Sequence, residues 1–236
     1  VQVEGAAIYE PNKNKVIELQ RELNLQSSLL TTKMIGEDNQ GNRFEIVTKK
    51  VANMENPHEY AISYTIKPLN FSKKITIISE IDAQIVNYGV ERYRSLSSNH
   101  LNYILQEAVG TLSTLVVETN QSKTKVAQSA DFKLVNGTVL NTENLTVEGR
   151  TTTKLTVDAK ENEVYTVEKI VAVFTTLETE GDVVAKSKEL ASKGRTFENV
   201  KSDANTGWAK LWDKVDIKVS GDMLSQKLMR IHSFHL

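Results

Sequence analysis

Apolar residues at every second position dominate the chain up to about residue 180, and this alternation predicts a series of β-strands. The clearest run is Tyr60, Ile62, Tyr64 and Ile66, and it ends at Pro68. Proline cannot donate to a strand ladder, so we expect the strand to stop there. The same pattern predicts further strands at 44–48, 75–81, 101–108, 112–119, 124–134, 145–150, 152–158 and 165–174.

Residues 16–30 fit two patterns. Val16, Leu19 and Leu23 have the spacing of one helix face, whereas the stretch 29–32 (Leu-Leu-Thr-Thr) is typical of a strand. Spacing alone therefore leaves both a helix and a strand possible for residues 16–30.

The strand at 165–174 is apolar on both faces near its end, as in a strand buried inside a sandwich. About a dozen short strands with few helices predict a mainly β fold, a large antiparallel β-sandwich, over residues 1–180.

The pattern changes after residue 181, and residues 181–214 are predicted to form a helical linker. A first helix is expected to end before Gly194, and a second covers about 197–214. Its apolar stripe contains both tryptophans of the chain, Trp208 and Trp212, with Leu211 and Val215 at helical spacing.

The stretch 215–236 predicts the start of another element. Asp216 begins a short extended connection, and Asp222 is placed to cap a new helix after Gly221. That helix reaches the last residue without a stop signal, and the first residue is Val1. We therefore expect a fragment that precedes a larger domain.

Composition narrows the possible functions. The 236 residues carry a formal net charge of −1, so no basic surplus points to nucleic acid or an anionic membrane. No apolar run is long enough to span a membrane, and no signal peptide is visible. The absence of cysteine excludes disulfides and thiolate metal sites and fits a cytoplasmic location.

Residue chemistry alone identifies no active site. The four histidines, His58, His100, His232 and His235, lack the spacing of a zinc site, and no nucleotide-binding glycine loop or Gly-x-Ser-x-Gly elbow occurs. We predict no catalytic, cofactor-binding or metal-binding residue. The tryptophan pair could stack on a sugar, but its helical spacing with leucine and valine favours an interface or core role.

Four stretches together resemble the N-terminal domain of family 65 glycoside hydrolases, which include maltose, trehalose, kojibiose and nigerose phosphorylases. The stretches are 18–31, 64–87 with its Pro68-Leu-Asn70-Phe71, 118–122 with Glu118-Thr119-Asn-Gln121-Ser122, and the series Trp208, Trp212, Asp216, Asp222, Gln226 and Arg230. The resemblance covers nearly the whole chain in order. It also favours strand over helix at 16–30.

The resemblance implies a β-sandwich and a helical linker followed by a catalytic (α/α)6-barrel. In such phosphorylases a glutamic acid protonates the glycosidic oxygen while phosphate attacks the anomeric carbon from the opposite face. The products are β-glucose 1-phosphate and a free sugar, and no cofactor is needed. The implied partners are the chain's own barrel, a maltose-like disaccharide, phosphate and a second copy in a homodimer. Trp208, Trp212, Asp216 and Asp222 would anchor the sandwich to the barrel.

This chain also departs from the family pattern. The catalytic glutamic acid belongs to the barrel, so no residue here takes that role, and Ala204 stands where relatives often carry histidine. Two alternatives stay open: a free-standing carbohydrate-binding sandwich and a domain of a trehalose-type hydrolase.

Overall fold

The computed structural model describes residues 1–86, 89 and 98–235. Asn87, the last residue of one stretch that resembles family 65, and Leu236 lie outside them. The strands are β1 Gln2–Val3, β2 Lys15–Asn24, β3 Leu29–Glu37, β4 Arg43–Ala52, β5 Glu59–Pro68, β6 Lys73–Asp82, β7 Leu101–Val109, β8 Leu112–Thr119, β9 Lys125–Leu134, β10 Val139–Val147, β11 Arg150–Ala159 and β12 Tyr165–Thr175. The helices are α1 Val183–Ala191, α2 Phe197–Val215 and α3 Met223–His235.

The described strands form two antiparallel sheets. One sheet has four strands in the order β1-β6-β11-β10, and the other has eight in the order β2-β3-β4-β5-β12-β9-β8-β7. The fold is therefore mainly β, a large antiparallel sandwich followed by C-terminal helices, as the sequence pattern predicts.

The main core lies between the sheets. Alternate residues of the strands point inward, so Ile46 and Ile66 of the larger sheet meet Ile75, Ile77 and Leu155 of the smaller one, all of them buried. We call the face that carries Ile46 and Ile66 the inner face of the eight-stranded sheet.

The opposite face of that sheet, the helix face, is covered by α1 and α2. Helix α2 packs Phe197, Val200 and Ala204 against Val51, Ala61 and Ile170. Helix α1 packs on β8, β9 and β12 through Val183, Leu190 and Ala191. The two apolar faces of β12 therefore have different partners: the smaller sheet covers one and the helices cover the other.

Helix α1 also meets the sheet through buried hydroxyl groups. Ser129 Oγ lies 2.9 Å from both Thr114 Oγ1 and Ser187 Oγ, and all three residues are almost fully buried. Because a buried hydroxyl needs a partner, this chain of hydroxyl groups fixes the position of α1 on the sheet.

Most predicted elements are found where the patterns place them. Residues 16–30 form β2 and the start of β3, so the strand interpretation is confirmed and the helical one is wrong. The prediction of a strand at 145–150 was wrong in its bounds. Strand β10 runs from Val139 to Val147, and a turn with Gly149 at φ +72° precedes β11. All nine residues of β10 are exposed, so burial imposes no clean alternation there.

No helix in the described part of the chain is long and apolar enough to cross a membrane.

Candidate functional site at the corner between the last two helices

Helix α2 is held on the sheet by close packing and by a buried ion pair. Gly207 approaches the loop between β4 and β5 so closely that an added Cβ would lie 2.7 Å from the Cβ of Met54. Just before the N-terminal end of α2, Arg195 Nε lies 2.8 Å from a carboxylate oxygen of the almost fully buried Glu59. Arg195 also pairs with Asp203 on α2. These contacts make α2 a fixed support for the connection to α3.

A capping box starts α2. Thr196 Oγ1 accepts from the Asn199 backbone N–H at 3.2 Å, and the Asn199 side chain accepts from the Thr196 N–H at 3.0 Å. Two N–H groups that have no partner inside the helix are thereby satisfied. The start of α2 is thus specified locally, and its position is set by the contacts with the sheet.

Both predicted anchor tryptophans lie at the C-terminal half of α2. Trp208 packs against the core cluster under the helix and stacks on Phe234 of α3, with ring centroids 4.7 Å apart and an interplanar angle of 16°. The Trp212 indole N–H donates to the carbonyl of Leu25 in the turn between β2 and β3, at 3.0 Å. One tryptophan thus connects α2 to α3, and the other connects it to the sheet.

The predicted anchor Asp216 closes the corner between α2 and α3. Arg230 of α3 donates from Nε and Nη2 to the two carboxylate oxygens of Asp216, each at 2.8 Å. The hydrogen bonds from Arg230 hold the pKa of the Asp216 carboxyl below its ordinary value. A bidentate pair of this kind fixes orientation as well as distance.

The extended residues 216–220 are held by one amide side chain. Gln226 donates from Nε2 to the carbonyl of Ile217 at 2.9 Å and accepts from the backbone N–H of Val219 at 2.7 Å. The segment has few backbone partners of its own, so this side chain replaces the missing ladder.

The fourth predicted anchor, Asp222, caps α3. Its carboxylate accepts from the N–H groups of Leu224 and Ser225 at 2.9 and 3.3 Å, and also from the Ser225 hydroxyl. The Ser225 hydroxyl contributes most to lowering the pKa of the Asp222 carboxyl, and the two backbone N–H groups add to it. Asp222 therefore acts on its own helix.

A groove of about 770 Å³ lies between the β2–β3 turn and the first half of α3. Its walls include three of the four predicted anchors, Trp212, Asp216 and Asp222. The acidic groups in it are already bound to Arg230 or to the start of α3, so a sugar would have to displace internal hydrogen bonds. The two carboxylates of the groove are therefore already engaged by partners within the chain.

Helix α3 exposes apolar side chains beside this groove, and none of its residues is buried. Met223 is 91% exposed, Leu224 66% and Leu228 47%, and Ile217 just before the helix is also exposed. A contiguous exposed apolar patch commonly marks an interaction surface. We call Met223, Leu224 and Leu228 the open stripe of α3.

Two of the four histidines, His58 and His235, have identified ring contacts, and neither contact suggests a metal site. His58 stacks on Phe174 with ring centroids 4.1 Å apart, and its Nδ1 lies 2.9 Å from the carbonyl of Val173. His235 contacts Phe234 edge to face. Among the described residues, no group of three acidic, histidine or cysteine side chains could hold a metal ion.

The structure brings together all four residues that the sequence selects, but their role as an interdomain anchor stays a prediction. Sequence reasoning missed the contacts of Phe234 and Leu25, and also the buried pair of Glu59 and Arg195. None of them has a local signal, because each contact joins elements that are distant in the chain.

The fold is that of a large β-sandwich domain extended by helices, with an uncovered helix at its end. Residues 1–211 match glycosyl hydrolase family 65, N-terminal domain, and the chain belongs to this family. Two similar curated proteins are phosphorylases. The chain is similar to a kojibiose phosphorylase of Halothermothrix orenii, with 27% identity over 95% of this chain and 30% of the relative.

A second relative is the α,α-trehalose phosphorylase of Thermoanaerobacter brockii, with 24% identity and the same coverage of 95% and 30%. Among solved structures, a putative kojibiose phosphorylase from the human microbiome shares the fold with a TM-score of 0.79 and 16% identity, covering 95% of this chain and 29% of that one. The chain thus spans about 30% of the length of these curated relatives.

Proposed function

We propose that this chain is the non-catalytic N-terminal domain of an inverting disaccharide phosphorylase. The whole enzyme would cleave an α-linked disaccharide of glucose with phosphate, giving β-glucose 1-phosphate and a free sugar. Membership of family 65 and the phosphorylase names of the relatives support this reaction class. Those names favour kojibiose or trehalose over a maltose-like sugar as the substrate.

The observation that carries the proposal is the open stripe of α3 beside a groove whose two carboxylates are already hydrogen-bonded within the chain. A surface of this kind fits a packed protein neighbour, and the proposed neighbour is a catalytic helical barrel that α3 begins. In this division, residues 1–180 form the sandwich, 181–214 the linker and 215–236 the first part of the barrel. Trp208, Trp212, Asp216 and Asp222 would set the angle between the two domains.

The rigid corner explains how a domain without catalytic residues would affect catalysis. The tryptophan contacts, the Arg230–Asp216 pair and the Gln226 bridge fix α3 relative to the sandwich at several points. If α3 begins the barrel, the sandwich holds one wall of the active-site mouth in place. A homodimer and a cytoplasmic location complete the proposal.

Phosphorolysis assays on two proteins test this function. The full-length protein that contains these residues should release glucose 1-phosphate from kojibiose or trehalose only when phosphate is present. The 236-residue chain alone should release none. Glucose 1-phosphate release by the 236-residue chain, or phosphate-independent hydrolysis by the full-length protein, would contradict the proposal.

A further inference from the structure

Strand β10 is an unprotected edge of the smaller sheet. It is the last strand in the order β1-β6-β11-β10, so within the described chain one side of its backbone has no strand partner. All nine of its residues are exposed. They include the large apolar side chains of Val139, Leu140, Leu145 and Val147. A long, exposed and apolar edge strand is a template for pairing with another strand.

The other sheet edges in the described chain lack this combination. Strand β1 has only two residues, and β7 is half-buried along most of its length. Strand β2 is nearly as exposed as β10, but it carries the charged residues Lys15, Glu18, Arg21 and Glu22. Charged side chains on an edge oppose pairing with a further strand.

Strand β10 contains one charged residue, and its charge is already compensated. Glu143 accepts from Lys154 of the neighbouring β11 at 3.0 Å. A strand that approaches the open side of β10 therefore meets apolar, hydroxyl and amide side chains and no unpaired charge.

The sequence of β10 fits antiparallel pairing with a second copy of itself. A two-fold axis perpendicular to the sheet would join the two strands, and it must pass through one residue because paired residues point to the same face. A β-bulge interrupts β10 between Val139 and Asn141, so the regular stretch is 141–147 and its central residue is Asn144. An axis at Asn144 therefore pairs the whole regular stretch.

The side chains agree with this register. With the axis at Asn144, Thr142 of each copy faces Thr146 of the other, and cross-strand threonine pairs are favourable. Glu143 then faces Leu145. An axis at Glu143 would instead place two carboxylates opposite each other, which is unfavourable.

Asn144 has suitable groups for a position on the axis. Its Oδ1 accepts from the Thr153 hydroxyl at 3.0 Å, and its Nδ2 has no hydrogen-bond partner within the described residues. An amide oxygen can accept two hydrogen bonds, so each Asn144 can donate to the Oδ1 of the other. Two amides on the axis would therefore satisfy each other's free donor.

We propose that β10 pairs with β10 of a second copy of this chain, so that the two smaller sheets form one continuous antiparallel sheet. The net charge of −1 opposes such association little. Strand β10 also lies next to β7, an edge strand of the larger sheet, so both sheets end on the side that the second copy approaches. The inference rests on the homodimer of the proposed function and supplies its interface. The test involves no catalysis, so its failure would leave the phosphorolysis proposal standing.

Analytical ultracentrifugation of the 236-residue chain tests the pairing. A single pair of strands buries less area than a standard interface, so we expect a dimer with a dissociation constant on the order of 10 to 100 μM. A chain that stays monomeric at concentrations about tenfold above this range would overturn the proposal.

Asn144→Asp separates this interface from other contacts. The variant keeps the oxygen that accepts from Thr153 but places two carboxylates opposite each other on the axis. Dimerisation should weaken about tenfold or more at neutral pH and recover below about pH 4, where the carboxyl groups are protonated. Asn141→Asp is the matched control, because it adds the same charge to the same strand opposite Val147, and it should weaken dimerisation much less.

Equal weakening by Asn141→Asp and Asn144→Asp would overturn the proposal. Unchanged association in Asn144→Asp would also overturn it, and would indicate a contact elsewhere, such as the open stripe of α3.

Introduced thiols test the register. The chain has no cysteine, so a single new thiol reports only its own distance from its copy. In Asn144→Cys the paired Cα atoms should lie about 4.5 to 5.5 Å apart, which permits a disulfide. In Thr142→Cys, exposed on the same face, they should lie about 14 Å apart, which does not. Oxidation should cross-link Asn144→Cys alone, and equal cross-linking of both variants would contradict the proposed register and interface.

Discussion

At the scale of single residues, burial in the folded protein disfavours the charged form of Lys169. The side chain lies on the inner face of β12, and burial lowers its pKa from an ordinary value of 10.5 to about 8. Between these two values the unfolded chain binds more protons than the folded one. The free energy of unfolding should therefore rise as the pH rises through this window.

Lys169→Met should raise the free energy of unfolding at neutral pH by about 1 to 2 kcal/mol, because it removes a poorly solvated charge. The gain is smaller than the full pKa shift, since the Glu80 carbonyl loses its donor. Urea unfolding at several pH values measures both effects. The variant should lose most of the increase between pH 8 and 10.5, and an unchanged pH profile would contradict this account.

Gly207 is a second residue at which the tertiary structure reverses a local preference. In an exposed helix, replacing glycine by alanine stabilises by up to about 1 kcal/mol. Here the added methyl group would meet Met54 at 2.7 Å. Gly207→Ala should therefore lower the free energy of unfolding by about 1 to 3 kcal/mol.

Thr206→Ala is the control for this prediction, because Thr206 is exposed on the same helix. Chemical denaturation of both variants should show a loss only in Gly207→Ala. Equal stability of the two variants would show that the loop that carries Met54 moves away easily.

At the scale of elements, the corner between α2 and α3 depends on side chains more than on backbone ladders. Asp216→Asn removes the charge that Arg230 binds, and residues 216–220 should exchange their amide hydrogens several times faster. The global melting temperature should change little, because the pair lies at the surface, with the side chain of Arg230 45% exposed and that of Asp216 20%. Hydrogen exchange with mass spectrometry measures the local effect.

Asp213→Asn provides the comparison, since Asp213 is exposed on α2 and has no ion pair within the described residues. It should leave exchange at 216–220 unchanged. The stabilisation by the Asp216–Arg230 pair should also depend on pH in a definite direction. Because the pKa of Asp216 is lowered, the pair stabilises the fold fully at pH values above the ordinary carboxyl pKa. This stabilisation is lost as the pH falls through the lowered pKa of Asp216.

At the scale of the whole molecule, α1 and α2 complete the sheet, although the sequence pattern assigns them to a linker. They cover Val51, Ala61, Ile170 and Ala172, which are buried on the helix face. A chain that ends at residue 180 would expose this apolar surface to water. Such a patch favours aggregation.

Truncation tests this view of the domain. Residues 1–215 should give a soluble, cooperatively unfolding protein, because α1 and α2 are retained and the open stripe of α3 is removed. Residues 1–180 should be insoluble or should bind a hydrophobic dye strongly. Solubility, circular dichroism and light scattering compare the two. A folded, monomeric 1–180 chain would show that the helices are a true linker.

Alternation along the strands made most of the sheets predictable, because side chains in a strand must point alternately to two faces. The prediction failed at β10, which is exposed on both faces and therefore carries no clean pattern. The corner residues were predictable as a group through the family resemblance. Their partners were not, since Phe234 and the Leu25 carbonyl meet the tryptophans only after the chain has folded.

The sequence alone determined the elements of this protein, the antiparallel sandwich and the family to which the chain is similar. Those properties depend on local periodicity and on residue order. Only the tertiary structure decided that the helices cover the second face of the sheet, that α3 keeps an open stripe and that burial lowers the pKa of Lys169. Each of these depends on which distant residues share a face, and short-range patterns do not encode that.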